Sequence, residues 1–208
     1  KMMLAHYKGT HPTKLCYVRF GNVLNSRGSV IPLFYKQIMA GGPITVTDKR
    51  VCRFFMSIDQ AVDLIFKASG LLQDREIFIL KNMSVLKIYD LARAMIGLYA
   101  PKFGYDHGQI KIKITGLKLG ERLHEKLLTE DESLYALENK DMFIIVPLIN
   151  YGPNEKLSLK KYMVIMKAKR CKVENYTTER KKYLSAEQIK KLLIKDDKNM
   201  LETLNHYN

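Results

Sequence analysis

What most limits the fold is a change of hydrophobic period early in the chain. Residues 15–20, Leu-Cys-Tyr-Val-Arg-Phe, are rich in strand-forming types and stop at Gly21-Asn22, which predicts a strand ending in a sharp turn. Polar groups at the end of such a strand are well placed to meet a ligand. Over residues 29–39 the apolar positions Val30, Leu33, Phe34 and Ile38 then recur at helical spacing. Pro32 is tolerated in the first turn of this helix, and Gly41-Gly42-Pro43 ends it. The alternation continues down the chain. A short extended run occupies 44–47, and Ser57 with Gln60 forms a capping-box pattern that predicts a helix over 59–69. Residues 76–80 read as a buried strand. Leu86, Ile88, Leu91, Ala92, Met95 and Ile96 mark an amphipathic helix ended by Pro101. A strand at 110–114 runs into Thr115-Gly116, and the acidic cluster Glu130-Asp131-Glu132 then separates a short helix from strands at 135–137 and 142–146. A second capping box, Ser185 to Gln188, opens the last helix. Strands alternating with helices predict an α/β protein. The turn-rich residues 150–154 predict a division into 1–150 and a basic extension, 151–208.

Composition narrows the function classes. At 208 residues and 47% hydrophobic content the chain can bury one good core or two small ones. Its longest apolar stretch, 142–148, is far shorter than the roughly 20 residues of a membrane-spanning helix, and no leader precedes it, so a cytoplasmic protein without membrane partners is expected. The net charge of +14 would attract polyanions, and its cations concentrate between Lys160 and Lys191. Without a nucleic-acid motif or interleaved stacking aromatics, this reads as a solvated basic surface rather than a nucleic-acid site. Cys16, Cys52 and Cys171 fit neither a disulfide framework nor a zinc site. The histidines, His6, His11, His107, His124 and His206, lack metal-ligand spacing, and the His124-Glu125 neighbours would point to different faces of a helix. Glycine-rich dinucleotide and phosphate loops are missing from the sequence. Because the chain opens on Lys1, with Met2, Leu4, Ala5 and Tyr7 reading as the tail of a helix, a truncated upstream region is expected.

Polar residues set in apolar segments carry a resemblance. The run Val18-Arg19-Phe20-Gly21-Asn22-Val23-Leu24-Asn25-Ser26-Arg27-Gly28-Ser29-Val30-Ile31-Pro32 resembles the extended short-chain dehydrogenases that act on nucleotide sugars, in the form typical of polysaccharide-biosynthesis dehydratases. The likeness continues, in the family's order, through Gly42 to Thr47, Arg53 to Val62, and Thr115 to Glu125. Lys87 to Ala92, Glu174-Asn175-Tyr176 and Tyr183-Leu184-Ser185 are similar to the UDP-N-acetylglucosamine 4,6-dehydratases that begin pseudaminic- or legionaminic-acid pathways.

The resemblance implies the carboxy-terminal part of a Rossmann-type enzyme with a smaller α/β substrate-binding domain, and a UDP-sugar substrate. It also implies an NADP or NAD cofactor held mainly by an upstream half, and a homo-oligomer when intact. Asn22 would bind near the diphosphate, with Val30 bordering the nucleotide at a helix N-terminus, where free amides suit phosphate. Arg53 would bind phosphate through its forked donors, and Glu121 would accept from ribose hydroxyls. Thr45 and Lys118 complete the implied substrate set, and Val23, Leu24, Asn25, Ser26 and Arg27 would border the nicotinamide. For Arg53 a surface salt bridge is the alternative, and for Glu121 a helix-start acid favoured by the dipole. Lys118 stands where the family usually has arginine, and Leu119 where it has proline. The catalytic tyrosine and lysine of the family are not in the chain, so its residues are expected to position substrate. A related epimerase, or a non-catalytic sugar-nucleotide-binding protein if the chain is complete, remains open.

Overall fold

The computed structural model describes residues 13–106, 108–147 and 158–196. The expected helix tail at 2–7, the boundary at 150–154, and His6, His11, His107 and His206 lie outside the described residues. In chain order the strands are β1 Tyr17–Arg19, β2 Asn22–Val23, β3 Ile44–Val46, β4 Cys52–Met56, β5 Ile77–Leu80 and β6 Ser84–Lys87. They continue as β7 Ile112–Ile114, β8 Lys126–Leu128, β9 Ala136–Glu138, β10 Met142–Ile145, β11 Lys169–Arg170 and β12 Tyr176–Thr177. The helices are α1 Val30–Met39, α2 Ile58–Leu71, α3 Ile88–Tyr99, α4 Glu130–Ser133, α5 Leu159–Ile165 and α6 Ala186–Lys195. Parallel pairs β1/β5, β2/β4 and β3/β7 confirm the α/β class, since parallel neighbours require crossover connections.

The chain forms two compact units, each assembled from separated segments: Lys1–Phe20, Asp59–Asn82 and Lys126–Tyr176 in one, Gly21–Ile58, Met83–Glu125 and Thr177–Asn208 in the other. Residues from both 1–150 and 151–208 enter each unit.

The first unit is built on a five-stranded sheet of order β1-β5-β10-β9-β11, with β5 parallel to β1 and antiparallel to β10. Every residue of β5 and β10 is buried, the pattern of strands covered on both faces. Two half-buried or buried acids tie this unit together. Glu76 accepts the amides of Gln73 and Asp74 and the Tyr162 hydroxyl, at 3.0 Å, which fixes α5 to the turn before β5. Glu132 takes both forks of the Arg19 guanidinium at 2.9 Å while reaching back to the Thr129 amide. Thr129 in turn accepts from the Glu132 amide, so α4 opens on a complete capping box.

The second unit packs α1, α3 and α6 around Ile31, Phe34, Ile38, Phe55, Leu86, Met95, Ile189 and Leu193. Beside this core lie the sheet β2-β4-β6 and the pair β3/β7. Gly21 meets the backbone of Phe54 so closely that a Cβ there would lie 2.4 Å from the Phe54 Cβ. Only glycine permits that approach. The capping box at Ser185 opens α6 as expected.

Three expectations are corrected. Leu86 belongs not to a helix but to β6, opposite Arg53, and α3 starts only at Ile88. The short helix expected before the acidic cluster is replaced by strand β8, and the cluster itself forms α4 because Thr129 caps it. The strand expected at 110–114 begins at Ile112. No described helix is long and apolar enough to cross a membrane.

Candidate functional site

Within the second unit, four separate stretches bring their polar side chains together around the end of β2 and the middle of β4. Asn22 sits in register with Phe55, directly after the Gly21 contact. Its amide nitrogen donates to the Phe54 carbonyl at 3.1 Å and to Glu125 Oε1 at 3.4 Å. Arg53, on β4, donates through Nη1 to the Cys52 carbonyl at 2.8 Å and the Leu123 carbonyl at 3.4 Å. Its Nη2 faces Glu121 at 3.6 Å and its Nε faces Glu125 at 3.9 Å. Glu121 Oε1 accepts from the Thr47 hydroxyl at 2.8 Å, and Oε2 from the Lys118 amide at 3.1 Å.

This arrangement bears on readings that the sequence left open. No helix begins at Glu121, so the helix-start role falls away. The Arg53 side chain is 17% exposed and lies within ion-pair distance of two carboxylates, so the salt-bridge alternative stands beside the phosphate-binding one. A guanidinium held at 3.6 to 3.9 Å from its acids is oriented by them without being locked to either.

The remaining expected substrate residues stand in different relations to this cluster. Lys118 joins it through its backbone, by mutual amide–carbonyl and amide–carboxylate bonds with Glu121, while its side chain is exposed. Leu119, the other departure from the family pattern, is fully exposed at the tip of the same loop. Val30 is the first residue of α1, after Ser29, whose hydroxyl makes no capping bond and is buried without a partner. Thr45 lies on β3, where its hydroxyl accepts from Gln37 Nε2 at 2.8 Å and its amide donates to Gln37 Oε1 at 3.0 Å. The structure records no bond from Val30 or Thr45 to the Arg53 cluster.

The loop expected to border a cofactor is well determined by its own contacts. Val23 continues β2 beside Met56, and the buried Leu24 donates its amide to the Met56 carbonyl. Asn25 adopts a left-handed φ of 53° and donates from its buried amide to the backbone and carboxylate of Asp196, at 3.0 and 2.7 Å. Ser26 closes the turn onto the Val23 carbonyl at 2.9 Å. With these side chains committed to the fold, Arg27 is the exposed side chain of the segment.

Sequence reasoning missed Glu125, Thr47 and Thr178. Glu125 was discounted as half of an adjacent pair on a helix, yet residues 121–125 are irregular and lead into β8. Burial pushes the Glu125 carboxyl above its ordinary value, against the pull of the Phe54 amide, Arg53 and Asn22. No group of metal ligands occurs among the described residues, and the cysteines are free thiols.

Comparison with known proteins places the chain in a family. The polysaccharide biosynthesis protein family matches residues 1–147. An uncharacterized membrane protein of Methanocaldococcus jannaschii is 44% identical over 188 residues, 90% of this chain and 51% of that protein. A UDP-glucose 4-epimerase of Rickettsia rickettsii is 33% identical over 191 residues, 91% of this chain and 52% of that one. The crystal structure of Pen from Bacillus thuringiensis superimposes with a TM-score of 0.77 at 40% identity, covering 92% of this chain and 52% of that one. The chain thus spans about half the length of these relatives. With the family matched across most of the chain, and the fold shared with a solved relative at 40% identity, the chain belongs to the polysaccharide biosynthesis protein family.

Proposed function

We propose that this chain is the sugar-nucleotide-binding portion of an NAD(P)-dependent nucleotide-sugar 4,6-dehydratase, acting on UDP-N-acetylglucosamine in surface polysaccharide or nonulosonic-acid biosynthesis. The observation that carries the reading is Arg53 between Glu121 and Glu125, a half-buried forked cation flanked by hydrogen-bond acceptors. A nucleoside diphosphate offers the matching pattern: phosphate oxygens for the guanidinium and ribose hydroxyls for Glu121. Asn22 would bind beside the diphosphate, and the residue 23–27 loop would form a wall for the cofactor. A nicotinamide cofactor supplies the hydride acceptor and donor of such reactions. The residues here would hold the substrate in register with it, a contribution of positioning rather than bond-breaking.

A nucleotide-sugar epimerase is the second reading, favoured by the Rickettsia rickettsii relative. Both readings share the nucleotide clamp, so one experiment tests what they have in common. In the whole protein, Arg53→Ala and Glu121→Ala should each weaken UDP binding by calorimetry, by about tenfold or more for loss of a charge-assisted bond. Unchanged affinity in both variants overturns the site. NMR of the product formed from UDP-N-acetylglucosamine then separates a 4-keto-6-deoxy sugar from a 4-epimer.

A further inference from the structure

Glu125 is the member of the cluster with no assigned role, and its surroundings are unusual for a carboxylate that merely solvates a loop. Its backbone is fixed from both sides by the fully buried Thr178: the Glu125 amide donates to Thr178 Oγ1 at 3.0 Å, and the Thr178 amide donates to the Glu125 carbonyl at 3.0 Å. From that anchor the side chain reaches β4 and β2 together. Oε2 accepts the Phe54 amide at 2.8 Å, while Oε1 lies 3.4 Å from Asn22 Nδ2 and 3.9 Å from Arg53 Nε. The neighbouring Glu121 accepts from Thr47 and the Lys118 amide rather than from Asn22.

We infer that Glu125 is a positioning residue of the sugar-nucleotide site, whose carboxylate holds the Asn22 side chain and the Arg53 guanidinium in place for the same ligand. The physical reason is geometric. Asn22 and Arg53 stand on different strands, and a side chain amide or guanidinium left to itself samples several rotamers at an entropic cost on binding. One anion that accepts from Asn22, lies at ion-pair distance from Arg53 and is pinned by the backbone of β4 restricts that freedom before the ligand arrives. The requirement is for negative charge as well as shape, because one of its two partners is a cation.

This inference rests on the proposed role of Asn22 and Arg53, so the test starts with the unaltered whole protein and UDP as the probe. If the unaltered protein fails to bind UDP, the site reading itself fails, and this inference with it. If it binds, Glu125→Gln and Glu125→Asp are compared by calorimetry alongside their thermal midpoints. Glutamine matches the shape and lacks the charge, whereas aspartate keeps the charge one methylene short. Positioning by charge predicts a loss of about tenfold for Glu125→Gln and a smaller loss for Glu125→Asp, that is, partial rescue by the charged variant. The reverse order, or glutamine binding as well as the unaltered protein, overturns the inference and leaves the UDP site standing. Should Glu125→Gln fail to fold, the aspartate variant still decides: affinity reduced as far as in Asn22→Ala counts against rescue and overturns the inference, and affinity well above it supports the inference.

Discussion

Each unit contains an arginine on a strand facing a carboxylate, and the two pairs are built differently. In the first unit Arg19 meets Glu132 with two 2.9 Å bonds, a third bond goes to the Leu127 carbonyl, and Glu132 also completes the cap of α4. In the second unit Arg53 meets Glu121 and Glu125 at 3.6 and 3.9 Å, and each of those acids has its shorter bonds elsewhere. Both arginines belong to the blocks that carry the family resemblance. The closed pair meets its acid at hydrogen-bond distance, whereas Arg53 gives its short bond to the Cys52 carbonyl and stands at ion-pair distance from both of its acids. Sequence similarity alone treats the two alike.

The contrast is broken most directly by removing one acid from each pair. Glu132→Ala strands a half-buried guanidinium and removes a helix cap, and should destabilise the fold by about 3 kcal/mol in denaturant unfolding. Glu121→Ala should cost less, about 1 to 2 kcal/mol, since the bonds lost, from the Thr47 hydroxyl and the Lys118 amide, lie in a partly exposed loop and the Arg53 contact is long. Equal losses would mean that Arg53 is as structural as Arg19.

A smaller effect sharpens the same comparison from the backbone. Gly21→Ala forces a Cβ against Phe54 and must push β2 from β4, for about 2 kcal/mol of overpacking strain. Because Asn22 follows immediately, the thermal midpoint should fall and UDP affinity should fall with it. A stability loss with unchanged affinity would separate the strand contact from the site.

The smallest effects are electrostatic. The Arg50 side chain and backbone amide hold Asp48 at a pKa of about 2, and its own backbone amide, Asn175 and Lys126 hold Glu130 at about 2. Both values lie below the ordinary ones, so the stability these groups contribute is present above the ordinary carboxylate range and is lost as pH falls through about 2. Glu125 has the opposite sign. Its raised value means that its ionisation costs stability as pH rises through the window just above 4.5. Asp48→Asn and Glu130→Gln should therefore each flatten the acid limb of a pH–melting curve, slightly because both groups are solvent-exposed. Glu125→Gln should flatten the limb above it.

The alternation of periods near residues 15–39 was enough to predict α/β architecture, β1, α1 and the glycine stop after it, because those signals are local. The capping box at Ser185 was legible for the same reason, and Thr129 to Glu132 carried an equally local signal that the acidic composition obscured. Leu86 was misplaced because an apolar residue one turn before a helix fits the helical period, and only pairing with β4 makes it a strand residue. Asn22, Arg53 and Glu121 were picked out by resemblance to a family. What brings them within reach of one another is the packing of residues 22, 53, 121 and 125 across more than a hundred positions of sequence. The sequence by itself determined the alternation of strands and helices over its first half and which residues are polar where the pattern calls for apolar. Tertiary structure alone decided that Arg19 is closed onto Glu132 while Arg53 stands at longer distances from two acids, and that Glu125 joins the cluster, because ion-pair distance and burial are set by partners remote in the chain.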